Sequence, residues 1–310
     1  MTPLQIDLVE APSNLGLKEP MPGTAPGVNQ LPAWLKRWGF YDIVAPQRVH
    51  TVPAPPYSGH LDPDSGVRNA DAIAAYSPQL AACVAGLVRE RVFPLVLGGD
   101  CSILLGNMLG LKQVGNYGLF FLDGHTDYAW PGLSATGGAA GMDLALVTGR
   151  GPAQLTDLGG LGPYVRPEHV WSVGNRYEDP EYLSAILTSA IHYVDLAAVR
   201  QQGPQACATA FLRHVKTAKL DGFWLHLDVD VLDNALMPAV DSPQPGGLTY
   251  AELVTLLVPL LASPRAIGLD LTILDPRLDP TGTITRALIE GIRPILAALK
   301  ARNAPDGSGA

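Results

Sequence analysis

Short, unbroken apolar runs recur along the chain at 4–9, 94–98, 117–122, 169–173, 190–194, 222–227 and 265–271. A strand with one wet face alternates apolar and polar residues, whereas a strand covered on both faces stays apolar throughout, so these runs predict buried strands. Between them, apolar residues return at helical spacing near 29–38, 77–91, 101–112, 204–219, 249–261 and 283–301. Alternation of the two patterns predicts an α/β fold with a mostly parallel sheet, helices on both faces, and ligands gathered at the carboxyl ends of the strands. The Pro-rich stretch 46–66 and the Gly- and Ala-rich stretch 128–141 read as loops, and no internal repeat is visible.

With 310 residues, 47% of them hydrophobic, the chain can bury one large core, so a single domain over 1–301 is expected, followed by a disordered tail over 302–310. A net charge of -8 argues against nucleic acid as a partner and favours a small, even cationic, substrate. Cys83, Cys101 and Cys207 are far apart with no paired spacing, which predicts no disulfide framework and a reducing compartment. The first residues, MTPLQIDLVEAP, lack a charged leader, and no apolar run reaches the roughly 18 residues of a membrane span. A cytoplasmic protein without a membrane partner is the expectation.

Two acidic clusters change the picture. Asp123, His125 and Asp127 in DGHTD, and Asp228 and Asp230 in LDVD, each follow a strand-like run. Residues i and i+2 of an extended chain point to one side, so each cluster aims its donors at one spot. Five such donors exceed what one ion with an open position needs, and carboxylates shared between two divalent ions use them better. Ions roughly 3.5–4 Å apart activate water near neutral pH and clamp both oxygens of a hydrolytic displacement. Solvated loop acids are the alternative, but such turns seldom carry an imidazole directly after an apolar strand.

LVLGGDCS at 95–102, DGHTD at 123–127, LDVDVLD at 227–233, SPQPGGLTY at 242–250 and GLDLTILDP at 268–276 together resemble the ureohydrolase (arginase and agmatinase) family over nearly the whole chain. The resemblance implies a three-layer α/β/α sandwich around a mainly parallel sheet, a homo-oligomer (trimer or hexamer), and a two-manganese centre that hydrolyses a guanidino group. By position, Asp123 and Asp228 bridge both ions, Cys101 and Asp127 complete one, and His125 and Asp230 complete the other.

Three positions depart from the family pattern. Cys101 stands where the family has histidine; a thiolate there tilts the site toward zinc, nickel or cobalt, while the other reading is a small buried residue with one ion lost. Its place at a helix start is expected to favour the thiolate. Ala140 falls on the family's proton-carrying histidine, and Ile273 on the glutamate that pairs with the guanidinium. Asp241 and His226 are candidates to take over acid or proton-carrying work, against a solvated loop acid and a satisfied core histidine respectively. Asp179 and Ser242 are candidates to hold substrate, with Asp179 otherwise a turn acid, and Trp130 with Tyr128 and Met142 to line an apolar pocket or simply pack the loop. The leading expectation is a hydrolase acting on a linear amidine or guanidine other than arginine, with Asp127 orienting the attacking water; a catalytically silent, ureohydrolase-like subunit that binds a ligand or regulates a catalytic paralogue is the other.

Overall fold

The computed structural model describes residues 4–176 and 180–302, so Asp179 and nearly all of the expected tail lie outside the described residues. Eight parallel strands form one sheet in the order β2-β1-β3-β8-β7-β4-β5-β6. They are β1 Ile6–Ala11, β2 Val49–Thr51, β3 Phe93–Gly98, β4 Tyr117–Leu122, β5 Val170–Val173, β6 His192–Val194, β7 Gly222–Asp228 and β8 Ala266–Thr272. The apolar runs mark seven of them within two residues. β2 was expected as part of a loop; at three residues, on the sheet edge and half in solvent, it is too short and too polar to leave a pattern.

Alternation along the strands builds two cores. Leu95, Leu97, Phe120, Leu122, Phe223 and Leu225 face one layer, with Phe211, Leu256 and Leu288 from the helices Pro204–Thr217, Tyr250–Leu261 and Thr283–Ala301. Val9, Val96, Leu119, Phe121 and Trp224 face the other, with Ile73, Leu80 and Leu104 from Ala70–Arg89 and Ile103–Lys112. The result is the three-layer α/β/α sandwich. Each fully buried Leu or Phe contributes about 1.5–3 kcal/mol by leaving water, which is why strands covered on both faces carry so few polar residues.

Ala70–Arg89 begins seven residues before the expected 77, because its first turns mix Ala with Asp71 and its apolar stripe starts only at Ile73; Pro78 lies inside it. This helix has the length and hydropathy of a membrane span. Its Tyr76, Leu80 and Val84 are nevertheless buried in the core, which identifies a sandwich helix.

The segment leading into Tyr250–Leu261 is fastened at its end. Thr249 and Glu252 form a reciprocal capping box, and Arg200 donates to Glu252 (2.7 Å) and to the carbonyls of Gly246 and Gly247. Leu248 in turn bridges to Leu232, just past β7, its amide donating to the Val231 carbonyl and its carbonyl accepting from the Asp233 amide, so the fastening holds this segment over the ends of the strands. The Arg200 hydrogen bond, opposed in part by burial, holds the Glu252 carboxyl down to about 2 from 4.5. Glu252→Ala is expected to cost about 1 kcal/mol, read by urea unfolding. Because the folded value is the lower one, this contribution is present above pH 4.5 and the gap between wild type and variant closes as pH falls toward 2.

Candidate metal centre

The turn after β3 reads Gly98-Gly99-Asp100-Cys101, and its composition follows from its neighbours. A Cβ at Gly99 would sit 1.6 Å from the Ser13 carbonyl oxygen, so only glycine lets the turn pass under β1. Asp100 then locks the turn, accepting from the Ser13 hydroxyl (2.8 Å) and the Ser102 amide (2.9 Å). Cys101 is thereby pressed, fully buried, against the end of β7. Its Sγ lies 2.9 Å from Asp228 Oδ2 and 3.1 Å from Thr272 Oγ1.

Both acid clusters arrive at the same place because β4 and β7 are neighbours in parallel register, Leu122 beside Leu227. Each folds its loop around its own carboxylate. Asp123 Oδ1 accepts from the His125 amide (2.6 Å), and Asp228 Oδ1 from the Asp230 amide (2.7 Å). Asp230 links the two, accepting from the Gly124 amide (3.0 Å) and facing His125 Nδ1 at 2.9 Å. Arg176 braces the back of this loop by donating to the carbonyls of Asp230 (2.7 Å) and Gln244 (3.0 Å).

Donor atoms gather into two groups in which all lie within 4.8 Å of one another: Asp123, His125 and Asp230 in one, and Cys101, Asp123, Asp228 and His226 in the other. Asp123 is common to both. Asp127, expected as a ligand beside Cys101, belongs to neither group and instead lines the cleft in front of them, with a left-handed φ of 42°.

Electrostatics show what the site lacks. Burial, reinforced by Asp230, pushes the Asp123 carboxyl up, and burial with the charges of Asp230 and Asp123 does the same to Asp228. Burial and Asp228 also push the Cys101 thiol well up, so the position at the helix start does not by itself make a thiolate. Burial opposes the His125 cation, but Asp230 and Asp123 outweigh it and push the ring up to about 12. Asp123 Oδ2 and His226 Nε2 are buried without a hydrogen-bond partner among the described residues. Carboxylates this crowded need positive charge, and a donor set of carboxylate, imidazole and thiol fits two divalent ions.

The comparisons with known proteins agree with this geometry. The sequence matches the Arginase family over residues 22–293. The chain belongs to the arginase family. Arginase from Bacillus caldovelox is 37% identical over 194 residues, a match spanning 62% of this chain and 64% of that protein. Arginase from Agrobacterium fabrum is 32% identical over 234 residues, covering 74% of this chain and 71% of that protein. The crystal structure of the Bacillus caldovelox arginase overlays with a TM-score of 0.83 at 29% identity, covering 96% of this chain and 98% of that one. Membership of this family, which uses a dinuclear metal site, makes the chain a hydrolase of the ureohydrolase type.

A cleft of about 460 Å³ opens over the donors, and it holds both of the family's missing positions, Ala140 and Ile273. Ile273 adopts a left-handed φ of 76°, uncommon for a β-branched residue, with its amide N–H donating to the Gly99 carbonyl (2.8 Å). Asp241 and Ser242 also line the cleft. Asp241 is exposed on its outer side, yet surrounding protein and the Asp230 charge push its carboxyl up to about 6.

The expected apolar pocket lining and proton carrier are placed elsewhere. Trp130 does not line the cleft, because with Tyr128 it turns aside to hold the Arg150 guanidinium, 4.0 Å from the Trp130 ring centre. Ala129, Ser134 and Thr136 line that wall instead, and Met142 is sealed in the core. His226 is fully buried behind the acids, so it cannot carry a proton to a substrate in the cleft. Sequence reasoning missed Arg176, Asp270 and Asp143. Asp143 is fully buried with neither carboxyl oxygen partnered among the described residues, and burial with the Asp127 charge pushes it well up. Spacing offered a signal only for Asp270, two residues before Thr272 on one strand face.

Manganese or zinc added to metal-stripped protein is expected to raise the melting temperature by about 5 °C at a hundredfold excess over Kd. Raised carboxyls such as Asp123 and Asp228 favour the folded chain while protonated, and that contribution is lost as pH rises through their folded values. Metal also competes with those protons, so the increment is expected to be larger at pH 8 than at pH 6. Calorimetry at the two pH values checks it.

Proposed function

We propose that this arginase-family hydrolase uses two divalent ions to cleave the carbon–nitrogen bond of a linear amidine or guanidine-type substrate other than arginine. The observation that carries the reading is that Ala140 and Ile273, both buried and both lining the cleft, stand where the resemblance places a proton carrier and a guanidinium partner. A guanidinium pressed against Ile273 would lose water and gain no counter-charge there, a cost of several kcal/mol.

Cys101, Asp123, His125, Asp228 and Asp230 would hold the ions, which when bound supply activated water and offset negative charge at the attacked carbon. Manganese follows from the resemblance, with zinc or nickel favoured on the Cys101 side. Asp127 faces the cleft from beside the donors and is placed to orient the water and take its proton. Asp241, next to Ser242 at the mouth, is placed to exchange a proton with the leaving nitrogen or to hold a cationic group of the substrate. A hydroxyguanidine suits this cleft, since its hydroxyl lowers the basicity of the guanidine and lets it enter neutral, with no counter-charge required at Ile273. Asp179 as a holder of the substrate's amino group, a homo-trimer or hexamer, and a cytoplasmic location complete the reading by resemblance and composition.

L-arginine and agmatine are expected to turn over about 10²–10⁴-fold more slowly than an ordinary ureohydrolase substrate, the factor a positioned proton carrier supplies. A urea-release assay with manganese measures this, with an N-hydroxyguanidine compared by release of hydroxyurea. Arginine turnover near the roughly 10 per second typical of enzymes would contradict the proposal. Asp123→Ala is expected to strip both ions because both donor groups share Asp123, and Asp228→Ala is expected to do the same by the resemblance, which makes Asp228 the second bridge; elemental analysis of the purified variants checks both.

A further inference from the structure

His226 is the buried group that the reaction above leaves without work. It lies on β7 two residues before Asp228, so both side chains leave the same face of the strand. Its ring stacks on Phe121 of β4, with centroids 4.6 Å apart and planes 11° apart, which fixes the ring plane. Nδ1 lies 2.5 Å from Asp270 Oδ2 on the neighbouring β8, and the Trp224 indole donates to the other oxygen of the same carboxylate. A carboxylate satisfied in this way accepts, so Nδ1 carries the proton. The Nε2 lone pair is left, fully buried and without a hydrogen-bond partner among the described residues. A ring nitrogen of His226 lies within 4.8 Å of donor atoms of Cys101, Asp123 and Asp228, and Nε2 is the one that Asp270 leaves free.

We infer that His226 ligates the inner divalent ion through Nε2, with Asp270 as the residue that positions it, so that this ion is held by Cys101, His226, Asp123 and Asp228. Asp127, which the resemblance puts beside Cys101, then stands free in the cleft for the attacking water. An unpartnered imidazole nitrogen buried among carboxylates costs free energy unless a cation occupies the space they share, and an Asp-bound Nδ1 is how metal-ligating histidines are usually oriented. One sulfur, one nitrogen and two carboxylates form a softer set than the His125, Asp123 and Asp230 group, so the two ions differ in preference, the inner toward zinc or cobalt and the outer toward manganese. The inference rests on the metal centre of the proposed function and not on its substrate.

Cobalt(II) titration of the full-length protein tests it. Wild type is expected to take up two cobalt ions per chain, the inner one with a thiolate-to-cobalt absorption band and strong four-coordinate visible bands. His226→Asn keeps a donor for Asp270 but removes Nε2, and it is expected to lower affinity for the thiolate-bound ion more than tenfold and weaken its visible bands, leaving the outer ion unchanged. Asp270→Asn disturbs only the orientation and is expected to cost 10–100-fold at the same ion. Unchanged affinity and spectrum in His226→Asn overturn the inference while leaving the two-ion hydrolase intact; failure of wild type to bind cobalt sinks both. Should His226→Asn not fold, proton NMR of the wild-type cobalt form decides alone. Two exchangeable, paramagnetically shifted imidazole N–H signals, from His125 and His226, are expected, and a single one refutes ligation by His226.

Discussion

Burying several carboxylates against one another at the ends of hydrophobic strands is the constraint on which this structure turns. Asp123, Asp228 and Asp230 are almost fully buried, the last two at the floor of the cleft, where unpaired negative charge costs several kcal/mol per group and is relieved by protons or cations. The surrounding chain is arranged to keep them there. The Gly99 turn pins Cys101 against Asp228, amides of the clusters' own loops bind one oxygen of each acid, and Arg176 braces the carbonyls behind them. Two divalent ions held by these donors would relieve that repulsion, and the stability of the sandwich and its chemistry would then have a common source.

The departures from the family pattern lie on opposite sides of this centre. On the inner side, Cys101 stands with His226 beside Asp228, and His226 shares the Asp270 carboxylate with Trp224, so the one departure there is joined to a connected group of side chains. On the cleft side, Ala140 and Ile273 remove a proton carrier and a counter-charge, while Asp127, Asp241 and Ser242 remain in reach of a bound molecule. The proposed function rests on this contrast between donors kept together and side chains absent from the cleft wall.

Much of this was legible in the sequence because strands buried on both faces leave continuous apolar runs, and because i and i+2 acids at the end of such a run can aim only one way. The parallel order and both donor clusters follow from those two facts. Side-chain direction outside strands is not written in spacing. Trp130 looked like a cleft residue from its loop, yet a cation supplied by Arg150, twenty positions away, turns it aside. His226 looked like a core residue or a proton carrier, and only the placement of Asp270 on the neighbouring strand shows which nitrogen is free. β2 escaped because three edge residues carry no pattern, and Asp143 because nothing in GMDL distinguishes a buried carboxyl from a helix-capping one.

X-ray absorption at the zinc edge of the zinc-loaded protein tests the central claim most directly, since it sees the metal and its donors without reference to any substrate. The account predicts two zinc ions per chain and an average of half a sulfur per zinc at about 2.3 Å, beside nitrogen and oxygen at about 2.0–2.2 Å, with the sulfur lost in Cys101→Ala. Two ions ringed only by nitrogen and oxygen would contradict the role given to Cys101, and a protein that takes up no zinc would contradict the account at its foundation.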